Sequence, residues 1–162
     1  MSNPNKELKY LWIEDQYDDF TPGLDVLKRE LEKNSIIFIE NDSKRAVNLG
    51  AAELLFAHCV DDNYQPDIIL LDLMLPQDSK DQEEDNDKGK VKVNLDGGYF
   101  IWYKIRKMKK WPIISDVPII IITARGRTVY REQIIQDPKT KWLSKPADPS
   151  QLAMEICDLL NT

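Results

Sequence analysis

The feature that most constrains this chain is a regular alternation of short apolar runs with segments of helical spacing. Continuous runs rich in Ile and Leu occupy 8–13, 36–39, 68–73 and 118–123, and a shorter run occupies 142–144. Runs of this kind, without strict alternation of polar and apolar residues, are typical of parallel strands covered on both faces. The pattern therefore predicts five strands.

The segments between these runs carry the signals of helix starts. Thr21 predicts a cap, with Pro22 in the first turn of a helix that runs to about residue 34. Ser43 is predicted to cap the second helix, and a weaker fourth helix is predicted at 129–135. The last helix is marked by Asp148-Pro149-Ser150-Gln151, which reads as a cap, a first-turn proline and a capping-box glutamine. The predicted apolar faces are Leu24, Leu27 and Leu31 on the first helix, Val47, Ala51, Leu54 and Leu55 on the second, Ile101, Ile105 and Met108 on the third, and Leu152, Ile156, Leu159 and Leu160 on the last.

Five repeats of strand then helix predict an α/β fold. Right-handed crossovers wind such repeats into a doubly wound parallel sheet with helices on both faces, and we expect the flavodoxin-like strand order 2-1-3-4-5. The length of 162 residues is that of a single domain. The stretch 77–95 does not fit the repeat: its 19 residues include six acids and four lysines, so it is interpreted as a polar surface insertion.

The composition argues against several classes of function. The net charge of -6 disfavours direct binding to nucleic acid, which needs clustered basic residues, and the basic third helix is interpreted as an exposed charged face. No run of about 18 apolar residues could span a bilayer, and the first residues lack the pattern of a signal peptide. Cys59 and Cys157 form no metal-binding pair and are expected to be reduced thiols. A cytoplasmic location is expected.

Polar residues terminate the predicted strands and are the candidate functional residues. They are Glu14 and Asp15 after the first strand, Asp72 in the third, Thr123 in the fourth, and Lys145 after the fifth. The carboxyl ends of parallel strands meet at one edge of the sheet, so these side chains are expected to lie together. Three close carboxylates raise one another's pKa unless cations compensate them, and carboxylates with water are typical ligands of Mg²⁺. The set predicts phosphoryl transfer with Asp72 as the nucleophile.

At this point the sequence resembles the receiver domains of response regulators in two-component systems. The resemblance rests on the pieces LWIED, PDIILLDLMLP, DGG, VPIIIITA and WLSKP, and it extends from residue 8 to residue 160. It implies that Glu14 and Asp15 hold Mg²⁺ together with Asp72 and the backbone carbonyl of Met74. It also implies that Asp72 is the residue that becomes phosphorylated.

The resemblance assigns roles on the two remaining strands as well. Thr123 and Lys145 are expected to contact the phosphoryl group, and Thr123 is expected to act as a switch with the aromatic residue of strand five. That residue is Trp142 here, where Tyr or Phe is usual in the family. The family usually has only a couple of residues where this chain has the insertion. The chain resembles a single-domain member because it stops after the fifth helix.

The leading hypothesis is a signalling switch that is phosphorylated by a sensor histidine kinase or a phosphotransfer protein and then binds an unknown downstream protein. Such a protein catalyses only its own phosphorylation and dephosphorylation, so it is not an enzyme that acts on an external substrate. The alternative is a small Mg²⁺-dependent phosphohydrolase with an Asp nucleophile. That reading is disfavoured because Met74, two residues after Asp72, is not the acid expected there. A flavin-binding protein is disfavoured because a Ser- and Thr-rich phosphate loop does not follow the first strand.

Overall fold

A computed structural model describes residues 4–77, 96–126 and 128–161. The strands are β1 (Lys6–Glu7), β2 (Tyr10–Ile13), β3 (Ile36–Ile37), β4 (Arg45–Ala46), β5 (Ile68–Leu71), β6 (Ile119–Thr123) and β7 (Thr140–Ser144). The α-helices are α1 (Tyr17–Phe20), α2 (Leu24–Glu32), α3 (Leu49–Asp61), α4 (Gly97–Arg106), α5 (Arg131–Ile135) and α6 (Pro149–Leu160). The predicted insertion at 77–95 lies, except for Gln77, outside the described residues. Among the described helices, none is long and apolar enough to cross a membrane.

The main sheet has five parallel strands in the order β4-β2-β5-β6-β7. When only the five strands of this sheet are numbered in chain order, without β1 and β3, this is the predicted order 2-1-3-4-5. The prediction of a doubly wound α/β fold is therefore confirmed. Tyr10 at the start of β2 pairs with Ile68 at the start of β5, and Ile119 at the start of β6 pairs with Thr140 at the start of β7. All carboxyl ends therefore lie at the same edge of the sheet.

The second predicted strand, 36–39, is only partly a strand. Its first two residues form β3, which pairs with β1 outside the main sheet, and the edge strand beside β2 is β4. Between β3 and β4 the Tyr10 hydroxyl donates to Ile39 O and accepts from Asn41 N–H, each at 3.0 Å. These two hydrogen bonds hold residues 39–41 as a loop, after which the chain pairs with β2 as strand β4.

The sheet separates two apolar cores. Leu11 and Ile13 of β2 point to the core covered by α3, α4 and α5, whereas Tyr10 and Trp12 point to the core covered by α2 and α6. Every residue of β2, β5 and β6 is buried, as expected for strands covered on both faces. The continuous apolar runs of the sequence therefore result from burial on both faces.

The first and last predicted helices have their expected apolar faces. Leu24, Leu27 and Leu31 of α2 are at most 3% exposed, but residues 21–23 form a short 3-10 turn, so the α-helix begins later than predicted. Asp148 caps α6 as predicted, accepting from Ser150 N–H at 2.8 Å. The helix predicted at 129–135 is shorter and begins at residue 131.

The prediction for the second helix was wrong in both its start and its face. Asn48 is the cap of α3: its Oδ1 accepts from Ala51 N–H at 2.7 Å. Ser43 lies in a separate 3-10 turn, where its hydroxyl donates to Asn41 Oδ1. The buried face consists of Leu49, Ala52, Phe56 and Cys59. Leu54 of the predicted face is 60% exposed, because this helix is apolar on nearly all sides and its pattern does not define an inward direction.

Replacing Asn48 with Ala is expected to lower the free energy of unfolding by about 1 kcal/mol, because the amides of the first turn lose their side-chain acceptor. Ser43→Ala is the matched control and should change it by less than about 0.5 kcal/mol. Urea unfolding followed by circular dichroism measures both values. Equal losses in the two variants would contradict the assignment of Asn48 as the cap.

The third predicted helix, α4, is attached to the start of β7 through a polar network. The Arg106 side chain is only 8% exposed, and its Nε donates to Asp137 Oδ2 at 2.7 Å. Thr140 Oγ1 donates to the same carboxylate oxygen at 2.6 Å and accepts from Trp102 Nε1 at 3.1 Å. The interpretation of this helix as an exposed basic face was therefore wrong for Arg106. The prediction that Met108 belongs to the apolar face of this helix was also wrong, because Met108 lies beyond the helix and is 60% exposed.

We expect Asp137→Asn to cost about 2 kcal/mol of stability at neutral pH, since the amide cannot replace a charged acceptor. Burial disfavours the ionised carboxylate, but hydrogen bonds from Thr140, Arg106 and the Lys139 amide outweigh it and lower the pKa of Asp137. The folded-state pKa therefore lies below the unfolded-state value. The stabilisation is present above the unfolded-state pKa and is lost as the pH falls through the folded-state pKa.

Chemical unfolding at neutral pH and at about pH 3 measures this dependence. The difference in stability between wild type and Asp137→Asn should be smaller at the lower pH. A difference that does not depend on pH would contradict an ionised Asp137 as its source.

Candidate functional site

The carboxyl edge of the sheet brings together the candidate residues. Backbone hydrogen bonds position three of them: Glu14 N–H donates to Ala46 O at 2.9 Å, Asp72 N–H to Ile13 O at 3.0 Å, and Lys145 N–H to Thr123 O at 2.9 Å. Each bond continues a strand pairing by one residue. The strand register therefore sets the position of each functional side chain.

Lys145 connects two buried carboxylates. Its Nζ lies 2.8 Å from Glu14 Oε1 and 2.8 Å from Asp72 Oδ2. The Glu14 side chain is 5% exposed and the Asp72 side chain 3% exposed. Burial disfavours the charged ammonium group, but the hydrogen bonds to Asp72 and Glu14 outweigh it and raise the pKa of Lys145. The lysine therefore remains protonated and compensates part of the negative charge.

The acidic cluster has more negative charge than Lys145 alone compensates. One carboxylate oxygen from each of Glu14, Asp15 and Asp72 lies within 4.8 Å of the others. Burial, and then the charge of Asp72, raise the pKa of Glu14 to about 8, and burial also raises the pKa of Asp15. Three oxygen donors at this spacing suit a small hard divalent cation, which would favour the ionised carboxylates. The residues present therefore fit Mg²⁺.

Two backbone amides orient the carboxylates within the cluster. Met74 N–H donates to Asp72 Oδ1 at 3.0 Å, and Gln16 N–H donates to Glu14 Oε1 at 3.0 Å. Asp72 Oδ1 thus accepts from the backbone while Oδ2 binds Lys145. The side chain of Asp72 is held in one orientation at the end of β5.

Thr123 is buried, and its hydroxyl accepts from Arg125 N–H at 3.0 Å. A threonine hydroxyl that accepts one bond can still donate its hydrogen to another acceptor. The loop after β6 is also attached to the start of α4, because Thr128 Oγ1 donates to Asp96 Oδ1 at 3.1 Å and Arg125 Nε lies 3.6 Å from the same oxygen. Arg125 and Thr128 were not singled out from the sequence, and Asp96 was noted only as part of the DGG motif, which does not connect it to them.

Trp142 lies on the same face of the sheet as Thr123. Ile121 pairs with Trp142 and Thr123 pairs with Ser144, and alternate residues of a strand share a face. The indole is partly buried against the core covered by α3, α4 and α5. The Arg131 guanidinium lies 5.2 Å from the centre of its ring. The threonine and the tryptophan are therefore on neighbouring strands with their side chains on one side.

Gly98 allows α4 to pack directly on the backbone at Asp72. A Cβ atom at this position would lie 2.1 Å from Asp72 O and 2.6 Å from Leu73 Cα. Gly98 N–H also donates to Leu73 O at 3.0 Å. The Gly97-Gly98 pair is visible in the sequence, but the contact that requires the second glycine is not.

Comparison with known proteins gives weak sequence similarity and a clear match of fold. No family model matches the chain. It is 27% identical over 124 residues to the "Probable transcriptional regulator ycf29" of Pyropia yezoensis, covering 76% of this chain and 41% of that protein. It is 29% identical over 91 residues to the phosphate regulon transcriptional regulatory protein PhoB of Escherichia coli, covering 56% of this chain and 31% of PhoB. The chain thus spans less than half the length of these relatives.

Solved structures match nearly the whole chain. The receiver domain of the Francisella response regulator 1452 is similar with a TM-score of 0.53 and 19% identity, covering 98% of each chain. A response regulator from Desulfuromonas acetoxidans has a TM-score of 0.54 and 17% identity, covering 95% of this chain and 97% of that one. A CheY-like receiver domain protein from Methanospirillum hungatei has a TM-score of 0.50 and 18% identity, covering 96% and 94%. The chain therefore has the fold of a response-regulator receiver domain.

Proposed function

We propose that the chain is a phosphorylation-dependent signalling switch that accepts a phosphoryl group on Asp72. The observation that carries the proposal is the position of Asp72 Oδ2, which lies 2.8 Å from the Lys145 ammonium group and beside two further carboxylates. A carboxylate in such surroundings is a nucleophile that forms an acyl phosphate, and a fixed positive charge stabilises the phosphoryl oxygens.

The phosphodonor is a sensor histidine kinase or a phosphotransfer protein. In the donor, the bond between a nitrogen atom and phosphorus breaks as the bond between an oxygen of Asp72 and phosphorus forms. Glu14, Asp15, Asp72 and the Met74 carbonyl would hold Mg²⁺, which when bound neutralises charge on the transferring oxygens. Lys145 supplies a second positive charge, and the Thr123 hydroxyl donates a hydrogen bond to the phosphoryl group.

The output is a change in the surface near β7 and α6, which binds a downstream protein. The chain catalyses its own phosphorylation and dephosphorylation and acts on no other substrate, and it makes no direct contact with nucleic acid. Its place of action is the cytoplasm. Residues 1–162 act as one receiver domain, with 77–95 as a polar insertion.

The test is incubation with acetyl phosphate and Mg²⁺, followed by intact-mass spectrometry. We expect the mass to increase by one phosphate, and the increase to disappear when a chelator is added first. An unchanged mass under all conditions would overturn the proposal. Continuous turnover of phosphomonoesters such as p-nitrophenyl phosphate, without a modified protein, would support the phosphohydrolase instead.

Phosphorylation is expected to change the fluorescence of Trp142. When the Thr123 hydroxyl turns toward the phosphoryl group, it leaves space on the face that the two residues share, and the indole moves from its partly exposed position into that space. Burial of an indole changes its emission, and its N–H needs an acceptor in the buried position. Steady-state emission is measured before and after addition of acetyl phosphate.

The control is Trp142→Phe, because Trp12, Trp102 and Trp111 also emit. The phosphorylation-dependent change should be lost in this variant while the mass increase is retained. If the change is the same in both proteins, Trp142 is not the reporter, and an effect on Trp12 beside the acidic cluster explains the signal.

A further inference from the structure

The outer face of α3 is apolar although it is exposed. The helix has thirteen residues, and its polar or charged side chains, leaving aside the cysteine, are Glu53, His58 and Asp61. Helical spacing places Gly50, Leu54, Ala57 and Asp61 on one line along the side opposite the buried face. Leu54 is 60% exposed. A helix that is apolar all round is usually buried, so this face has the character of one that another surface covers.

The neighbouring helix α4 exposes aromatic residues in the same way. Phe100 is 47% exposed and Tyr103 is 38% exposed. Helical spacing places Lys107 next on the same line as these two residues. Lys107 lies just after the end of the helix and is exposed. Large aromatic side chains are enriched in the centres of protein interfaces.

The two faces form one continuous surface. Leu49 and Glu53 of α3 and Gly97 and Phe100 of α4 line a single cleft between the helices, so the two helices begin at the same level. Glu53 also binds Lys104 across this cleft. Both helices run away from the carboxyl edge of the sheet and are therefore parallel to each other.

We propose that this surface binds a second copy of the chain through a twofold axis parallel to α3 and α4. Such an axis keeps the direction of the helices and places α3 of each copy on α4 of the other. Leu54 then packs against the partner's aromatic pair, and the small Ala57 leaves room for the larger tyrosine.

Charge complementarity selects the second copy as the occupant. Leu54 and Asp61 are seven residues apart, and Phe100 and Lys107 are also seven residues apart. When the apolar residues meet across the axis, the acidic end of α3 lies on the basic end of α4 of the other copy. Asp62 follows on the acidic end, and Lys109 follows on the basic end. The twofold axis forms this contact twice.

The test measures mass in solution by sedimentation velocity across a wide range of protein concentrations. We expect a concentration-dependent dimer, and Leu54→Arg should raise its dissociation constant by at least about tenfold. The matched control is Met154→Arg, because Met154 is 63% exposed on α6, on the other side of the sheet. A monomer at all concentrations, or a dimer that Met154→Arg disrupts and Leu54→Arg does not, would overturn the proposal.

A charge exchange provides the second measurement. Asp61→Lys and Lys107→Glu should each weaken the dimer, because each places like charges opposite one another twice. The double variant should restore the affinity of the wild type, because it exchanges the charges of the pair. A double variant weaker than both single variants would show that these side chains do not face each other and would also overturn the proposed axis.

Discussion

Replacing Asp72 with Asn is expected to abolish the uptake of phosphate from acetyl phosphate. The amide has nearly the same shape as the carboxylate, but its nitrogen and oxygen are not nucleophiles that can form the acyl phosphate. Met74 N–H can still donate to the side-chain oxygen, and Lys145 keeps its hydrogen bond to Glu14. Intact-mass spectrometry should therefore detect no added phosphate after a time that labels the wild type completely.

The matched control for this experiment lies at the other end of the same strand. Asp67 precedes β5, and its carboxylate binds Lys6 Nζ at 3.0 Å and Lys9 N–H at 2.9 Å. Asp67→Asn should take up phosphate at the rate of the wild type. Labelling that persists in Asp72→Asn would place the phosphoryl group on another residue, and peptide mapping would identify it. Both variants must unfold cooperatively for the comparison to count.

Gly98→Ala is expected to destabilise the fold by about 3 kcal/mol and to reduce phosphate uptake. The new methyl group would meet backbone atoms of Asp72 and Leu73, which cannot rotate away as a flexible side chain could. Either α4 moves outward or the end of β5 shifts, and both changes disturb the carboxylate of Asp72. For a chain of this size the melting temperature should fall by roughly 6–12 °C.

Gly50→Ala is a closely matched control, because Gly50 and Gly98 are each the second residue of a helix on the same face of the sheet. At Gly50 the nearest atom to a Cβ would be Gln77 O at 3.5 Å, an ordinary contact. This variant should be unchanged or gain up to about 1 kcal/mol from helix propensity. Equal melting temperatures for the two variants would contradict the close packing of α4 on Asp72.

The fold and the acidic edge could be predicted because they depend on repeated features of the sequence. A continuous apolar run identifies a buried parallel strand, and the residue that ends each run must lie at the common edge. Glu14, Asp72 and Lys145 were found in this way, although their contacts were not. The distance of 2.8 Å from Lys145 to both carboxylates depends on the register of three strands, which no local pattern defines.

The predictions that failed concern residues whose partners are distant in the sequence. Ser43 and Asn48 are both good helix caps, and only the tertiary position of the chain after β4 decides between them. In the sequence Arg106 is one of several basic residues of a helix, but in the fold it donates hydrogen bonds to the Asp137 carboxylate and to Ser115 O. Propensity and periodicity describe a segment alone, whereas these choices are made by contacts between segments.

The short edge strand β4 limits how copies of this chain can associate. An open sheet edge presents unpaired backbone groups that can bind a strand of another molecule, and long flat edges promote aggregation. Here the edge is interrupted: only Trp12 and Ile13 of β2 pair with β4, and the loop held by the Tyr10 hydroxyl runs beside the rest of that strand. Two residues offer too little backbone to template a continued sheet. The chain is therefore protected against strand addition on this side of the sheet, where copies could otherwise join edge to edge.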